Sequence, residues 1–144
     1  MEKLRMGVLG CSGHYALRVA TPLRASLLIE PYAVASRDAA KAQAFAGKWG
    51  FEVSYGSYEA LIADPKVDFI YNPLPNHLHL EYIKKAADAG KPMLCEKPLC
   101  LNAGGVTLPI RLSVQPFLRL RIPLLFLRLQ FRPKTDCFHS SACF

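Results

Sequence analysis

The chain has 144 residues, of which 51% are hydrophobic and 20% are charged, which fits one soluble globular domain and leaves little room for a second. The net charge of +7 does not by itself indicate nucleic acid or an anionic membrane as a partner. Residues 1–102 are nearly neutral, with 12 Lys and Arg against 10 Asp and Glu, whereas residues 103–144 carry six against one.

Short apolar runs alternate with helical patterns along the first 100 residues, which is typical of βαβ units. The predicted strands are Leu4–Leu9, Pro31–Ala35, Glu52–Tyr55, Val67–Tyr71 and Pro92–Cys95. We therefore predict a Rossmann-type, doubly wound α/β fold. Its five-stranded, mostly parallel sheet should have the strand order 3-2-1-4-5, with helices on both faces.

Four helices are predicted between these strands. The first runs from His14 to Leu28 and is bent or interrupted at Pro22, because proline removes a helical N–H donor. The second is Asp38–Trp49, and the third is a short helix capped by Ser57. The fourth is His77–Ala89, whose periodicity places Leu80, Ile83 and Ala87 on the inner face.

A glycine-containing turn joins the first strand to the first helix. It comprises Gly10, Cys11, Ser12, Gly13, His14 and Tyr15. Small residues here would let a dinucleotide pyrophosphate approach the backbone N–H groups at the helix start. The G-x-G-x-x-G pattern is met only in part, because Ser12 replaces the second glycine. An ordinary strand-to-helix turn is therefore the alternative interpretation.

The end of the second strand bears on the choice between NAD and NADP. An NAD-preferring domain places an acidic residue there for the ribose 2′-hydroxyl. This chain has Ser36 and Arg37, which suit a 2′-phosphate, and Asp38 comes one position later. The pattern favours NADP over NAD. The alternative is a plain helix start in which Asp38 is the cap and Arg37 is solvated.

Two further segments carry a family resemblance. They are Tyr71-Asn72-Pro73-Leu74-Pro75-Asn76-His77-Leu78-His79 and Gly90-Lys91-Pro92-Met93-Leu94-Cys95-Glu96-Lys97-Pro98-Leu99. With the glycine turn they resemble the Gfo/Idh/MocA family over about residues 3–103. That family includes glucose–fructose oxidoreductase, inositol dehydrogenase and dihydrodiol dehydrogenase. The resemblance implies hydride transfer between a nicotinamide cofactor and a sugar, polyol or related hydroxy compound.

The resemblance also implies roles for individual residues. Lys97 is the implied catalytic residue, beside the nicotinamide, where it would position the substrate hydroxyl and assist proton transfer. Glu96 and Pro98 would hold the nicotinamide end of the cofactor, and Asn72, Pro73, Asn76 and His79 would line it. The alternatives are a surface lysine after a strand for Lys97 and a structural loop for the histidines.

Residues 104–144, which we call the C-terminal segment, have a different composition, with scattered prolines, abundant Leu and Arg, and the single acid Asp136. We predict that residues 1–103 form the domain and that the C-terminal segment is irregular. A shifted reading frame is our hypothesis for its origin. The substrate-binding and oligomer-forming domain of the family would then be missing, and the chain alone would be inactive.

The remaining expectations concern partners and location. Arg119, Arg121 and Arg128 argue against a membrane span in the C-terminal segment. Its arginines form no repeat that would indicate specific nucleic-acid binding, although a basic arm is the alternative.

The cysteine spacing matches no familiar zinc site, so no metal is predicted. Five cysteines and the lack of a secretory signal in the given sequence predict reduced thiols and a cytoplasmic protein.

Overall fold

The computed structural model describes residues 2–99, which form a single parallel sheet with helices on both faces. The five strands lie in the order β3-β2-β1-β4-β5, and every adjacent pair is parallel. The predicted fold and strand order are therefore confirmed. The C-terminal segment lies outside the described residues, and so do the predictions made for it.

The secondary-structure elements follow the predicted alternation. The strands are β1 (Leu4–Leu9), β2 (Ile29–Ala35), β3 (Val53–Tyr55), β4 (Phe69–Asn72) and β5 (Met93–Cys95). A π-helical segment (Tyr15–Val19) leads into α1 (Ala20–Leu23), and the other helices are α2 (Ala39–Trp49), α3 (Tyr58–Ala63) and α4 (Asn76–Asp88).

The sheet separates two apolar clusters. On one face, α3 and α4 contribute Tyr58, Leu61 and Tyr82. On the other, the first helical region and α2 contribute Tyr15 and Ala46. β1 lies in the middle of the sheet, between β2 and β4, and its last four residues are buried. The strand order thus reverses beside β1, which is where open α/β sheets bind their ligands.

The first predicted helix is shorter than expected. It ends at Leu23, not at Leu28. The chain turns where the N–H groups of Ala25 and Ser26 donate to the carbonyl oxygens of Pro22 and Leu23. The Ser26 hydroxyl then accepts hydrogen bonds from the N–H groups of Leu28 and Ile29, so a side chain takes the place of the helical carbonyl acceptors.

The predicted inner face of α4 is wrong by about one residue along the helix. Leu80, Ile83 and Ala87 are only half-buried, whereas His79, Tyr82 and Ala86 are buried. The Tyr82 ring packs edge-on against Tyr58 at a centroid distance of 5.1 Å. Aromatic side chains with a polar tip therefore occupy the interface that the aliphatic pattern assigned to Leu80 and Ile83.

Candidate functional site

The loops that follow β1, β2, β4 and β5 meet at the carboxyl edge of the sheet. Backbone hydrogen bonds connect them beyond the strand ends. Gly10 N–H donates to Ala35 O at 2.8 Å, and Glu96 N–H donates to Asn72 O at 3.0 Å. The glycine turn, the Ser36–Arg37 loop and the Glu96–Pro98 segment therefore converge on one edge, as the sequence predicted from parallel strands.

Gly10 and Gly13 differ in what they require of the backbone. Gly10 has φ +87°, and a Cβ there would lie 2.9 Å from Leu74 Cδ2. The left-handed conformation disfavours a side chain at position 10, and a Cβ there would also require the end of the Leu74 side chain to shift. Gly13 has no such strain, and a Cβ there would meet nothing within 4 Å. Space is therefore open on the exposed side of the turn at Gly13.

The side chains between these glycines hold the shape of the turn. The Ser12 hydroxyl accepts a hydrogen bond of 3.1 Å from His14 N–H, and the Cys11 thiol donates to Lys41 O at 3.7 Å. Burial raises the pKa of the Cys11 thiol, and the nearby Lys41 ammonium opposes that shift. The turn is thus connected to the first turn of α2.

Tyr15 lies beneath the glycine turn, and its side chain is fully buried. Its ring packs against Phe51 at a centroid distance of 5.5 Å and against Tyr71 at 6.1 Å. Within the described residues its hydroxyl has no hydrogen-bond partner. Burial raises the pKa of Tyr15 to about 12. The predicted contact of Tyr15 with the cofactor would therefore have to come from its backbone.

The loop after β2 separates a buried serine from an exposed arginine. Ser36 is buried, and its hydroxyl accepts a hydrogen bond of 3.2 Å from Asp38 N–H. Asp38 is the N-cap of α2, because its Oδ1 accepts from Lys41 N–H at 3.1 Å. Arg37 is exposed. The acid nearest this strand end is thus engaged in helix capping, which was the alternative considered for it.

The four residues predicted after β4 divide into two groups. Pro73 is half-buried and Asn76 is exposed at the start of α4. Asn72 is fully buried, and its Oδ1 accepts from Leu74 N–H at 3.1 Å. His79 is also buried, with Nδ1 2.8 Å from Pro98 O and Nε2 2.6 Å from Leu74 O. The buried side chains of Asn72 and His79 therefore hydrogen-bond with the backbone of the loops that form the candidate site.

Glu96 connects the segment after β5 with the glycine turn. Its Oε1 accepts a hydrogen bond of 2.5 Å from the Tyr71 hydroxyl and lies 3.5 Å from His14 Nε2. Burial, and then the hydrogen bond to Glu96, raise the pKa of Tyr71. The next two residues, Lys97 and Pro98, are exposed. Tyr71 was predicted only as the last residue of the fourth strand and as part of the motif after it, and its hydrogen bond to Glu96 was not predicted.

Residues 2–99 contain no group of three or more His, Cys, Asp or Glu side chains that could hold a metal ion. Over the same range, no helix combines the length and the apolar character needed to cross a membrane.

A doubly wound parallel sheet with a glycine turn at the point of strand reversal defines a Rossmann-type dinucleotide-binding domain. A family model described as "Oxidoreductase family, NAD-binding Rossmann fold" (GFO_IDH_MocA) matches residues 4–108. The chain belongs to this Gfo/Idh/MocA oxidoreductase family, as the two motif segments predicted.

The similar proteins include several sugar-modifying enzymes. D-xylose 1-dehydrogenase (NADP(+)) 2 of Haloferax volcanii is 46% identical over 100 residues, which are 69% of this chain and 30% of that protein. A dTDP-3,4-didehydro-2,6-dideoxy-alpha-D-glucose 3-reductase of Saccharopolyspora spinosa is 41% identical over 127 residues, 88% of this chain and 38% of the reductase. That second alignment is longer than the predicted domain of residues 1–103.

The solved structures that are similar to this chain also include a reductase. The 3-ketoreductase KijD10 of Actinomadura kijaniata, in complex with NADP, has a TM-score of 0.74 and 35% identity, covering 80% of this chain and 36% of KijD10. The chain thus spans about a third of the length of the relatives that it matches.

Proposed function

We propose that residues 2–99 bind NADP(H), and less tightly NAD(H), at the carboxyl edge of the sheet. The observation that carries this proposal is the convergence of the glycine turn, the Ser36–Arg37 loop and the Glu96–Pro98 segment on that edge. The NADP-dependent D-xylose 1-dehydrogenase and the NADP complex of KijD10 support the same cofactor. Arg37 would pair with a 2′-phosphate, and Asp38 is engaged in capping α2.

The residues at this edge fit a dinucleotide in shape and in charge. The open space at Gly13 would let the pyrophosphate approach the backbone of the turn. Gly10 keeps the turn tight because its left-handed conformation and the Leu74 contact disfavour a side chain. Glu96, held by Tyr71, would bound the nicotinamide end of the site.

The chemistry of the complete enzyme is part of the proposal. When bound, the nicotinamide would accept or supply a hydride equivalent at a carbon that bears a hydroxyl or carbonyl group. Lys97 Nζ would hydrogen-bond the substrate oxygen and exchange a proton with it. The substrate class that we propose is a sugar, polyol or related hydroxy compound, since the relatives are named for sugar substrates.

Three further expectations belong to the same proposal. Substrate selection and oligomer formation would depend on parts of the enzyme outside residues 2–99, and the location would be cytoplasmic.

The 144-residue chain would bind cofactor without appreciable turnover, because Lys97 is exposed and a substrate has to be held against the nicotinamide to react. A coupled assay with sugars, inositols and dihydrodiols tests this. Turnover that disappears in Lys97→Ala would contradict it.

Fluorescence titration of the chain with NADPH and NADH tests the cofactor proposal directly. We expect saturable binding of both, with the lower Kd for NADPH. Lys97→Ala should leave binding largely intact, because Lys97 acts on the substrate and not on the pyrophosphate. A chain that is folded by circular dichroism but binds neither nucleotide would refute the proposal.

A further inference from the structure

The buried ring of His79 joins two of the site's loops. This side chain is 1% exposed, and both of its nitrogens face carbonyl oxygens. Nε2 lies 2.6 Å from the Leu74 oxygen in the loop after β4, and Nδ1 lies 2.8 Å from the Pro98 oxygen in the segment after β5. A ring in α4 therefore contacts the backbone of two different loops that belong to the candidate site.

A carbonyl oxygen is an acceptor only, so a ring nitrogen that hydrogen-bonds to it has to carry the proton. Both ring nitrogens of His79 lie within hydrogen-bond distance of such an oxygen. The tautomer of the ring decides which loop receives the N–H, and only the tautomer with the proton on Nδ1 donates to the segment after β5.

The contact to Pro98 constrains Lys97 from one side, and a backbone hydrogen bond constrains it from the other. Glu96 N–H donates to Asn72 O at 3.0 Å, immediately before Lys97. Pro98 O contacts His79 immediately after it. Lys97 itself is exposed. The residue proposed to meet the substrate is therefore held between two anchored neighbours.

We propose that His79 is a positioning residue that fixes the Lys97–Pro98 backbone through donation from Nδ1 to the Pro98 carbonyl. This role rests on the proposed function, and it differs from the contact with the cofactor that the sequence suggested for His79. The Nε2 contact with the Leu74 carbonyl places the same ring against the other loop, whose Leu74 side chain borders Gly10.

Two amide variants separate the two contacts. The Nδ2 of asparagine takes the place of histidine Nδ1, so His79→Asn keeps a donor facing Pro98 and loses the contact with Leu74. The Nε2 of glutamine takes the place of histidine Nε2, so His79→Gln places a donor facing Leu74 and loses the contact with Pro98. Each variant keeps one of the two contacts, and a role in packing alone would therefore make them equivalent.

Amide hydrogen exchange and NADPH titration of the 144-residue chain provide the readouts. In His79→Gln we expect exchange at Glu96, whose N–H donates to Asn72 O, to be about tenfold faster and NADPH binding about three- to tenfold weaker. In His79→Asn both should stay within about twofold of wild type, while exchange near Leu74 increases. Equal effects of the two variants on exchange at Glu96 would overturn the proposal.

A measurement on the wild-type chain covers the case in which His79→Gln does not fold. Nitrogen-15 NMR of the histidine rings at neutral pH should show a slowly exchanging proton on Nδ1 of His79. A bare Nδ1 in the folded chain would overturn the proposal. Failure of NADPH to bind would refute the proposed function alone, because hydrogen exchange at Glu96 and the ring proton would still report on the contact with Pro98.

Discussion

The Tyr71 hydroxyl donates a hydrogen bond of 2.5 Å to Glu96 Oε1, joining strand β4 to the segment that carries Lys97. Tyr71 is 3% exposed, so phenylalanine at this position would leave the Glu96 carboxylate without its buried donor. We expect Tyr71→Phe to lower the free energy of unfolding by about 1–2 kcal/mol, measured by urea denaturation.

Tyr15→Phe is the matched control for that change. The Tyr15 hydroxyl is buried, and no partner for it lies within residues 2–99. Its removal deletes an unsatisfied polar group, so the free energy of unfolding should stay within about 0.5 kcal/mol of wild type or rise. A loss as large as that of Tyr71→Phe would show that the Tyr15 hydroxyl does make a hydrogen bond.

Alkaline pH should destabilise the fold, and Tyr15 should account for part of the loss. Its pKa is raised from 10.0 to about 12 because its ring is buried. In the unfolded chain the phenol ionises first, so the stabilisation is complete below about pH 10 and is lost as pH rises toward 12. The fall in unfolding free energy between pH 9 and 11.5 should be shallower in Tyr15→Phe. Parallel curves would contradict this assignment.

Gly10 and Gly13 offer a pair of variants that separates stability from ligand binding. Gly10→Ala places a Cβ 2.9 Å from Leu74 Cδ2 on a backbone with φ +87°, and should cost about 2–3 kcal/mol. Gly13→Ala meets no neighbour within 4 Å and should change stability by less than about 1 kcal/mol. Its NADPH affinity should nevertheless fall about tenfold, since the methyl group occupies the space left for the pyrophosphate. Unchanged NADPH affinity would place the cofactor elsewhere.

Arg37→Ala tests the preference for NADP over NAD. We expect the Kd for NADPH to rise about tenfold and the Kd for NADH to change by less than twofold, because only NADPH carries the 2′-phosphate. Arg24→Ala, at the end of α1 and away from the loop after β2, is the charge-matched control. Equal weakening of both nucleotides would remove the proposed role of Arg37.

Local sequence patterns predicted the strands and their order, but they did not predict how side chains pack on α4. The periodicity of aliphatic residues chose Leu80 and Ile83 for its inner face. His79 and Tyr82 are buried there because their polar atoms and rings find partners on other elements. Those partners lie as far as Pro98 and Tyr58 in sequence, so a local window could not include them.

In the candidate site, too, the features set by local sequence were predicted and the long-range contacts were not. Gly10 and Arg37 were predicted because the end of a parallel strand fixes where they lie. The support from Tyr71, which depends on Glu96 25 residues later, was not predictable from spacing. Asp38 could be interpreted as a ribose ligand or as a helix cap, and its Oδ1 accepts a hydrogen bond from Lys41 N–H as the N-cap of α2.

The strand order has a consequence for how this site comes into being during synthesis. β1 is made first and β5 last of the described strands, yet both end at the same edge of the sheet. A nascent chain that has emerged only as far as Ala63 contains the glycine turn and β1, but it lacks β4, which pairs with β1 in the sheet. Such long-range pairing is slow to form. Cofactor capture should therefore begin only after Pro98 has left the ribosome.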